Sequence, residues 1–462
     1  MRKFFKPIHV RLTHLRYRYR RWVYQFRMRL ASIGRRMRYG YSNLPWKQPR
    51  DTAHAKNNWT LYLDVAWWGV ASGVWGTYLS VFAVRLGAST EWLGVLAALP
   101  ALVNMLFSIP SARIIERQPR RLPLVVRVGF LQRLAWLGVA LVPLILMDQP
   151  AVVAIVAIAG LTTIPAATSN VAFTNLLADL VPPGDRARVV SIRSVLLSVT
   201  TTATVMACGA ILDGIPFPLN YQLVFGAAFA CAMVSLYYVS RLQVPHEVTV
   251  VHRERPKHWI TVSIRNAIAE VRAEKAFVKY AVSSLIFHWG IFFPTALYSI
   301  YRVRNLGASN TWIGLLTMVD SLVTIVSYLV WGRIVPRWGN RKVLVVTAFG
   351  MIFFPVLTAL STSLPLLLIP ALIAGVFTPG FNLASFNELL AVSPETNRPR
   401  FIGIYTSVVN APAFLAPLAG SYMATVLDIR LAMYFGGVFR FLGGLAFLLM
   451  LGGWAKRAVT RR

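Results

Sequence analysis

The residues of this 462-residue chain that could do chemistry are ionisable side chains placed inside long apolar stretches. A charge held in hydrocarbon is costly, so it generally serves a substrate, an ion or a buried pairing. Asp320 lies nine residues into one such stretch and Arg440 nine residues into another. At about 1.5 Å rise per residue, each would sit roughly 13 Å deep, near a bilayer midplane. Asp320 is expected either to accept a proton or counter a substrate charge, or to form a structural ion pair with Arg440. Arg133 reaches a similar depth from the opposite side, with no acid at matching depth in its own half of the chain. It is expected to meet helix carbonyls or an anionic substrate. Asp64 and Arg127 each lie five residues inside an edge, where a local bridge between them is expected. His288, beside Trp289 and ahead of Pro294, is either a titrating or substrate-binding group or a helix-packing histidine. Trp68 and Asn410 complete the candidate pathway residues. Trp67, Trp68, Trp75, Trp289, Phe292, Phe293 and Tyr298 would suit an amphipathic or ring-shaped substrate if they line a cavity; facing lipid is the alternative.

No catalytic constellation is read from the sequence. His246, His252 and His258 are scattered through a polar segment and make a poor metal site. Cys208 and Cys231 sit in apolar stretches and are expected to pack as inert side chains. No Gly-x-x-x-x-Gly-Lys-Ser/Thr loop occurs, which argues against a nucleotide-driven pump. No cofactor and no metal are expected.

The elements that must position these charges are transmembrane helices. The chain is 56% hydrophobic and only 14% charged. Twelve stretches, at about 59–84, 92–112, 122–147, 151–177, 189–212, 219–241, 280–301, 311–332, 342–360, 364–389, 401–427 and 431–454, are long enough to span a bilayer. Backbone polar groups find no water in the hydrocarbon core, so the spans must be helical. Loops after even-numbered spans and both tails carry most of the Lys and Arg. Loops after odd-numbered spans carry only Arg85, Arg302, Arg304 and Arg430. By the positive-inside rule both termini are expected in the cytoplasm, with the chain in a bacterial inner membrane.

The chain also repeats itself. A shift of 220 positions lays Leu86-Gly87-Ala88-Ser89 on Leu306-Gly307-Ala308-Ser309, then Trp92 on Trp312 and Gly94 on Gly314. The match continues through Arg113 and Arg333, Arg117 and Arg337, and Arg121 and Arg341. The loop after span two reads Ala112-Arg113-Ile114-Ile115-Glu116-Arg117-Gln118-Pro119-Arg120-Arg121. Its copy after span eight reads Gly332-Arg333-Ile334-Val335-Pro336-Arg337-Trp338-Gly339-Asn340-Arg341. A second pair of loops matches at a shift of 212, Asn170 and Asn175 falling on Asn382 and Asn387. These asparagines are expected to bond between helices rather than touch substrate.

In these loops the chain resembles the major facilitator superfamily. That family's signature loop has a glycine, an acid four residues later, an adjacent basic residue, another glycine and further basics. The first copy keeps Glu116, Arg117, Arg120 and Arg121 but lacks the glycines; the second keeps Gly332, Arg333, Arg337, Gly339 and Arg341 but has Pro336 in place of the acid. The resemblance implies an all-α integral membrane protein with twelve transmembrane helices in two pseudo-symmetric six-helix bundles. It also implies a cytoplasmic gating loop formed by these residues and alternating access to a site between the halves. The gating loop is taken as the best-preserved part of the repeat.

The expected organisation is a basic amphipathic tail over residues 1–58, bundles over 59–241 and 279–455, a linker over 242–278 and a short basic tail over 456–462. The first tail carries 16 Lys and Arg against the single acid Asp51. Its Leu12, Leu15, Tyr19, Trp22, Phe26 and Leu30 recur at helical spacing, which suits docking on an anionic lipid surface. Nucleic acid is not an expected partner. The expected function is secondary active transport of a small molecule, with proton coupling open, by a monomer. The alternatives are a non-transporting scaffold or sensor with the same fold, and an integral membrane lipid-modifying enzyme.

Overall fold

A computed structural model describes residues 53–116, 121–181, 183–244, 270–394 and 398–459. Residues 1–52, with the expected lipid-docking stripe, and most of the 242–278 linker lie outside the described residues. The first half builds six helices: Ala53–Arg85, Thr90–Glu116, Arg121–Ile145, Asp148–Leu180, Pro183–Gly214 and Leu219–Ser240. In the second half span seven is assembled from Lys275–Phe292, Thr295–Ile300 and a π-helical turn Tyr301–Asn305. Spans eight to twelve follow as Asn310–Trp338, Asn340–Gly350 with Phe353–Leu360, Pro365–Leu367 with Leu368–Val392, Arg398–Val426 and Ile429–Val459. Among the described residues eleven helices are apolar and long enough to cross a bilayer; the helix Ala53–Arg85 takes the twelfth position. That first span is rich in Trp, Tyr, Gly and Ser, which lower its hydropathy without shortening it.

Breaks in the helices fall where the chemistry requires. Pro294 has no N–H to donate and separates the two parts of span seven. Span nine breaks at Met351, shortly before Pro355. Outward surfaces are apolar: Leu144, Leu161, Leu329 and Leu449 are each more than 60% exposed. In water so much apolar surface would drive association; in a bilayer it is the lipid-facing belt.

The two halves pack alike. Span two lies on span four as span eight lies on span ten, and span three on span six as span nine on span twelve. Across the halves, span two packs on span eleven and span five on span eight. The fold unit that carries these contacts is Thr60–Arg462.

The repeated tetrapeptide lies at the end bearing the loops after odd-numbered spans, here termed the odd-loop end. In each copy the glycine takes a left-handed conformation, φ +85° at Gly87 and +63° at Gly307, which a side chain would strain. The serine that follows caps the next helix: Ser89 Oγ accepts from Trp92 N at 3.4 Å and Ser309 Oγ from Trp312 N at 3.2 Å. The alanine between them presents its carbonyl to the other half. Arg85 donates to Ala308 O at 3.2 Å, and Arg304 donates to Ala88 O.

Candidate functional site

The first half holds a connected set of buried charges. Asp64 on span one is 4% exposed and accepts Arg193 of span five through both terminal nitrogens, each at 3.2 Å. Its other oxygen accepts Ser235 Oγ of span six at 2.7 Å. Ser235 Oγ in turn accepts Arg133 of span three at 2.9 Å. Arg133, 5% exposed, also donates to Ala232 O at 2.7 Å and Gly129 O at 3.0 Å. Its guanidinium stacks 4.9 Å above the Trp68 ring, and that of Arg193 stacks 4.8 Å from Phe173. Four helices are thus tied through one carboxylate.

The expected bridge from Asp64 to Arg127 is not the one formed. Arg127 lies six positions before Arg133 on the same helix, a rotation that leaves it exposed when Arg133 faces inward. Arg193 supplies the cation instead. Sequence reasoning missed it because it sits near the start of span five, among the loop arginines that fix topology. For Arg133, the helix-carbonyl expectation describes two of its bonds.

Two adjoining cavities open beside this network. One of about 360 Å³ is lined by Asp64, Trp68, Gln132, Arg133, Asn170 and Arg193, among others. Asn170 thus lines a cavity. The other, about 500 Å³, runs toward the odd-loop end past Trp68, Trp75, Leu79, Leu96, Pro100 and Trp136, and meets Thr295, Ala296 and Ser299 of span seven. Trp68, Gln132, Thr163 and Ala166 line both. The aromatic residues therefore divide: Trp68 and Trp75 face the cavities, whereas Trp67 is 38% exposed.

The second half places its charges differently. Arg440 is 3% exposed and donates to Gly290 O at 3.0 Å and Met351 O at 2.7 Å, with Tyr298 Oη at 3.5 Å. The ion pair with Asp320 is replaced by carbonyls, which the breaks in spans seven and nine leave free to accept. Asp320 is half-buried, and the cation acting on it is Arg302 of the π-helical turn. His288 Nδ1 bonds Ser284 O at 2.7 Å within its helix, and its ring packs among Phe287, Phe292 and Phe381. That is the packing alternative. Asn410 is half-buried in span eleven.

At the even-loop end, Arg341 donates to Glu388 of span ten at 2.6 Å, and Glu388 is 2% exposed. The acid missing at Pro336 is thus supplied by a residue that sequence reasoning did not single out. Gly339, at φ +81°, closes the turn between spans eight and nine; Gly332, Arg333 and Arg337 are exposed. Glu116 ends the span-two helix and Arg121 opens span three, while Arg117 and Arg120 lie outside the described residues.

The halves are clasped at the odd-loop end. Besides the reciprocal arginine bonds, Asp213 at the end of span five accepts Asn310 N at 2.9 Å, Asn310 Nδ2 at 2.8 Å and Thr311 N at 2.8 Å. It thereby caps span eight of the opposite half. Tyr221 donates to Asn310 Oδ1 at 2.6 Å, and Tyr78 donates to Asn310 O at 3.3 Å. On the pseudo-symmetric side Thr425, near the end of span eleven, donates to Glu91 of span two at 2.7 Å. Ser80 and Ser299 meet at 3.0 Å between these contacts. The repeated glycines Gly94 and Gly314 sit at the two crossings. A Cβ on Gly94 would lie 2.4 Å from Ser421 Oγ, and one on Gly314 3.0 Å from Val205 O.

Comparison with known proteins agrees with this architecture. The family model described as Major Facilitator Superfamily matches residues 280–461. An uncharacterized MFS-type transporter of Methanocaldococcus jannaschii is 27% identical over 164 residues, 35% of this chain and 40% of that protein. The multidrug resistance protein MdtG of Dickeya zeae is 27% identical over 165 residues, 33% of this chain and 40% of that protein. The chain therefore aligns with about two fifths of the length of these curated relatives. Among solved structures, a bacterial homologue of the iron transporter ferroportin in an inward-facing state superposes with a TM-score of 0.70 at 14% identity, covering 85% of this chain and 98% of that one. A POT family transporter superposes at 0.67 and 11% identity, covering 86% and 96%. The nucleoside transporter NupG superposes at 0.66 and 12% identity, covering 86% and 100%. With its apolar helices in two repeated bundles, the chain is an all-α integral membrane protein similar, over residues 280–461, to the Major Facilitator Superfamily.

Proposed function

We propose that this protein is a secondary transporter that moves a small molecule by alternating access, and that it is not an enzyme. The carrying observation is the pairing of a cavity with a clasp: two adjoining cavities beside a buried charge network, and halves joined at the odd-loop end by bonds that the repeat makes twice over. In this reading the odd-loop end, poor in Lys and Arg, faces outside the cell, and the clasp is the outer gate in its shut state. Each hydrogen bond donated by a charged group is worth about 1.5–3 kcal/mol net, so the two reciprocal arginine bonds can open at a cost of a few kcal/mol. That is the range in which two states of one protein are both populated. The relatives, named as transporters and as a multidrug resistance protein, support small molecules as the cargo. Proton coupling belongs to the same reading, with Asp320 as the carboxylate that takes the proton.

The test is exchange in proteoliposomes. Purified protein is loaded with a panel of unlabelled solutes, and uptake of their labelled forms is followed with and without an imposed proton gradient. At least one solute is expected to exchange well above protein-free liposomes. If none moves under either condition, the transport reading fails and a sensor or scaffold takes its place.

A further inference from the structure

The two adjoining cavities differ in chemistry, and the difference is ordered along the path between them. We propose that the carried molecule is an organic anion with an apolar, ring-sized body, its charge seated between Arg133 and Arg193 and its body in the tryptophan-lined chamber. The inference rests on the transport reading, since it takes the cavities as the seat of the cargo.

Charge balance gives the sign. Arg133 and Arg193 both line the smaller cavity, and Asp64 is the acid that acts on each of them. Among the described residues two guanidinium groups stand against one carboxylate, which leaves one positive charge uncompensated in a buried place, where a negatively charged group is strongly favoured. Donor geometry supplies the contacts. A guanidinium has five N–H bonds. Arg133 donates three to Ala232 O, Gly129 O and Ser235 Oγ. Arg193 uses Nη1 and Nη2 on Asp64 and Leu61 O, and among the described residues its Nε has no hydrogen-bond partner. Both side chains are fixed by these bonds and by stacking on Trp68 and Phe173, so an arriving carboxylate or phosphate meets donors that are already oriented.

The larger chamber gives the shape. Its apolar wall is formed by Trp68, Trp75, Trp136, Leu79, Leu96 and Pro100, with hydroxyl and amide groups such as Ser72, Thr162 and Gln132 beside them, and Trp75 lies 4.9 Å from Trp136 and Trp68 5.6 Å from the same ring. Trp136 donates its Nε1 to Ala71 O, which leaves ring faces rather than polar edges toward the space. Volumes of about 360 and 500 Å³ suit a small molecule. Trp68 belongs to both chambers, under the Arg133 guanidinium and at the edge of the apolar wall. A molecule lying across it would place anion and ring on opposite sides.

The test uses four probes matched in shape or charge: 1-naphthaleneacetate, its neutral amide 1-naphthaleneacetamide, the cation 1-naphthylmethylamine, and acetate. Binding of the labelled probes to the full protein in phosphatidylcholine nanodiscs is measured by scintillation proximity. Naphthaleneacetate is expected to bind saturably, the amide at least 10-fold more weakly, and acetate at least 100-fold more weakly. The double variant Asp64→Asn with Arg193→Gln removes the ion pair as a unit and is expected to weaken naphthaleneacetate at least 10-fold. Arg127→Gln, which removes an arginine outside the cavity, is expected to leave it unchanged. Competition by lysophosphatidate separates a lipid-borne anion from a water-borne one. Equal binding of acid and amide overturns the proposal, as does preference for 1-naphthylmethylamine or absence of saturable binding by the acid. If the double variant fails to fold, the probe series on the unaltered protein still decides. Exchange of a neutral or cationic solute in the proteoliposome panel would overturn the anion while leaving transport standing.

Discussion

Asp64 shows how far a single residue can be read from its neighbours in sequence. Its depth marked it as a paired charge, and its pairing is real, but the partner is Arg193, 129 positions away. A sequence gives depth along one helix; it does not give the rotation of one helix against another. Arg440 makes the same point from the other side. Its burial was legible, whereas its carbonyl acceptors exist because spans seven and nine break near Pro294 and Met351. With Arg440 satisfied by backbone, Asp320 is left with Arg302 as the cation that acts on it. In the proposed transport cycle Asp320 is the carboxylate that takes the proton. Asp320→Asn, which keeps the shape and removes the titrating group, is expected to preserve solute exchange within about twofold and to reduce gradient-driven accumulation at least 10-fold. Accumulation in a proton gradient, measured in proteoliposomes beside exchange without one, checks it. Equal loss of both would make Asp320 a structural residue.

At the scale of elements, the helices themselves were legible because an apolar stretch of twenty or more residues has one outcome in a bilayer. The role of the repeat was legible only in part. Its identical tetrapeptide reads as a turn, with a glycine for the left-handed position and a serine for the cap. That the alanine carbonyl of each turn would accept an arginine from the opposite half depends on the pseudo-twofold packing, which no local pattern encodes. The gating loop, taken as the best-preserved part, draws its second-half acid from Glu388 on another span. Asp213 is the element-scale test of the clasp. It caps span eight from across the interface, and a lost cap costs about 1 kcal/mol. Asp213→Ala is expected to raise the rate at which a membrane-impermeant maleimide, added from the odd-loop side, labels a cysteine placed by Ser72→Cys in the larger cavity. A rise of about fivefold corresponds to that energy. An unchanged rate would mean that the contact does not hold the gate.

For the whole molecule, the cavities and the clasp belong to one mechanism. Residues lining the cavities come mostly from the first half, with span seven reaching in through Thr295, Ala296 and Ser299. The second half closes the odd-loop end and contributes Asp320. In the proposed mechanism the repeat is the rocking frame and departures from it carry the chemistry: Arg133 falls on Phe353 and Asp320 on Pro100 at the 220-residue shift. The most direct test locks that frame reversibly. Ser80 and Ser299 face each other across the halves with their oxygens 3.0 Å apart. The double variant Ser80→Cys with Ser299→Cys, in a background of Cys208→Ser and Cys231→Ser, is oxidised to a disulfide and reconstituted for solute exchange. Exchange is expected to fall at least 20-fold on oxidation and to return on reduction. Exchange that continues, with the disulfide intact, as fast as in the dithiol form would contradict alternating access through this gate.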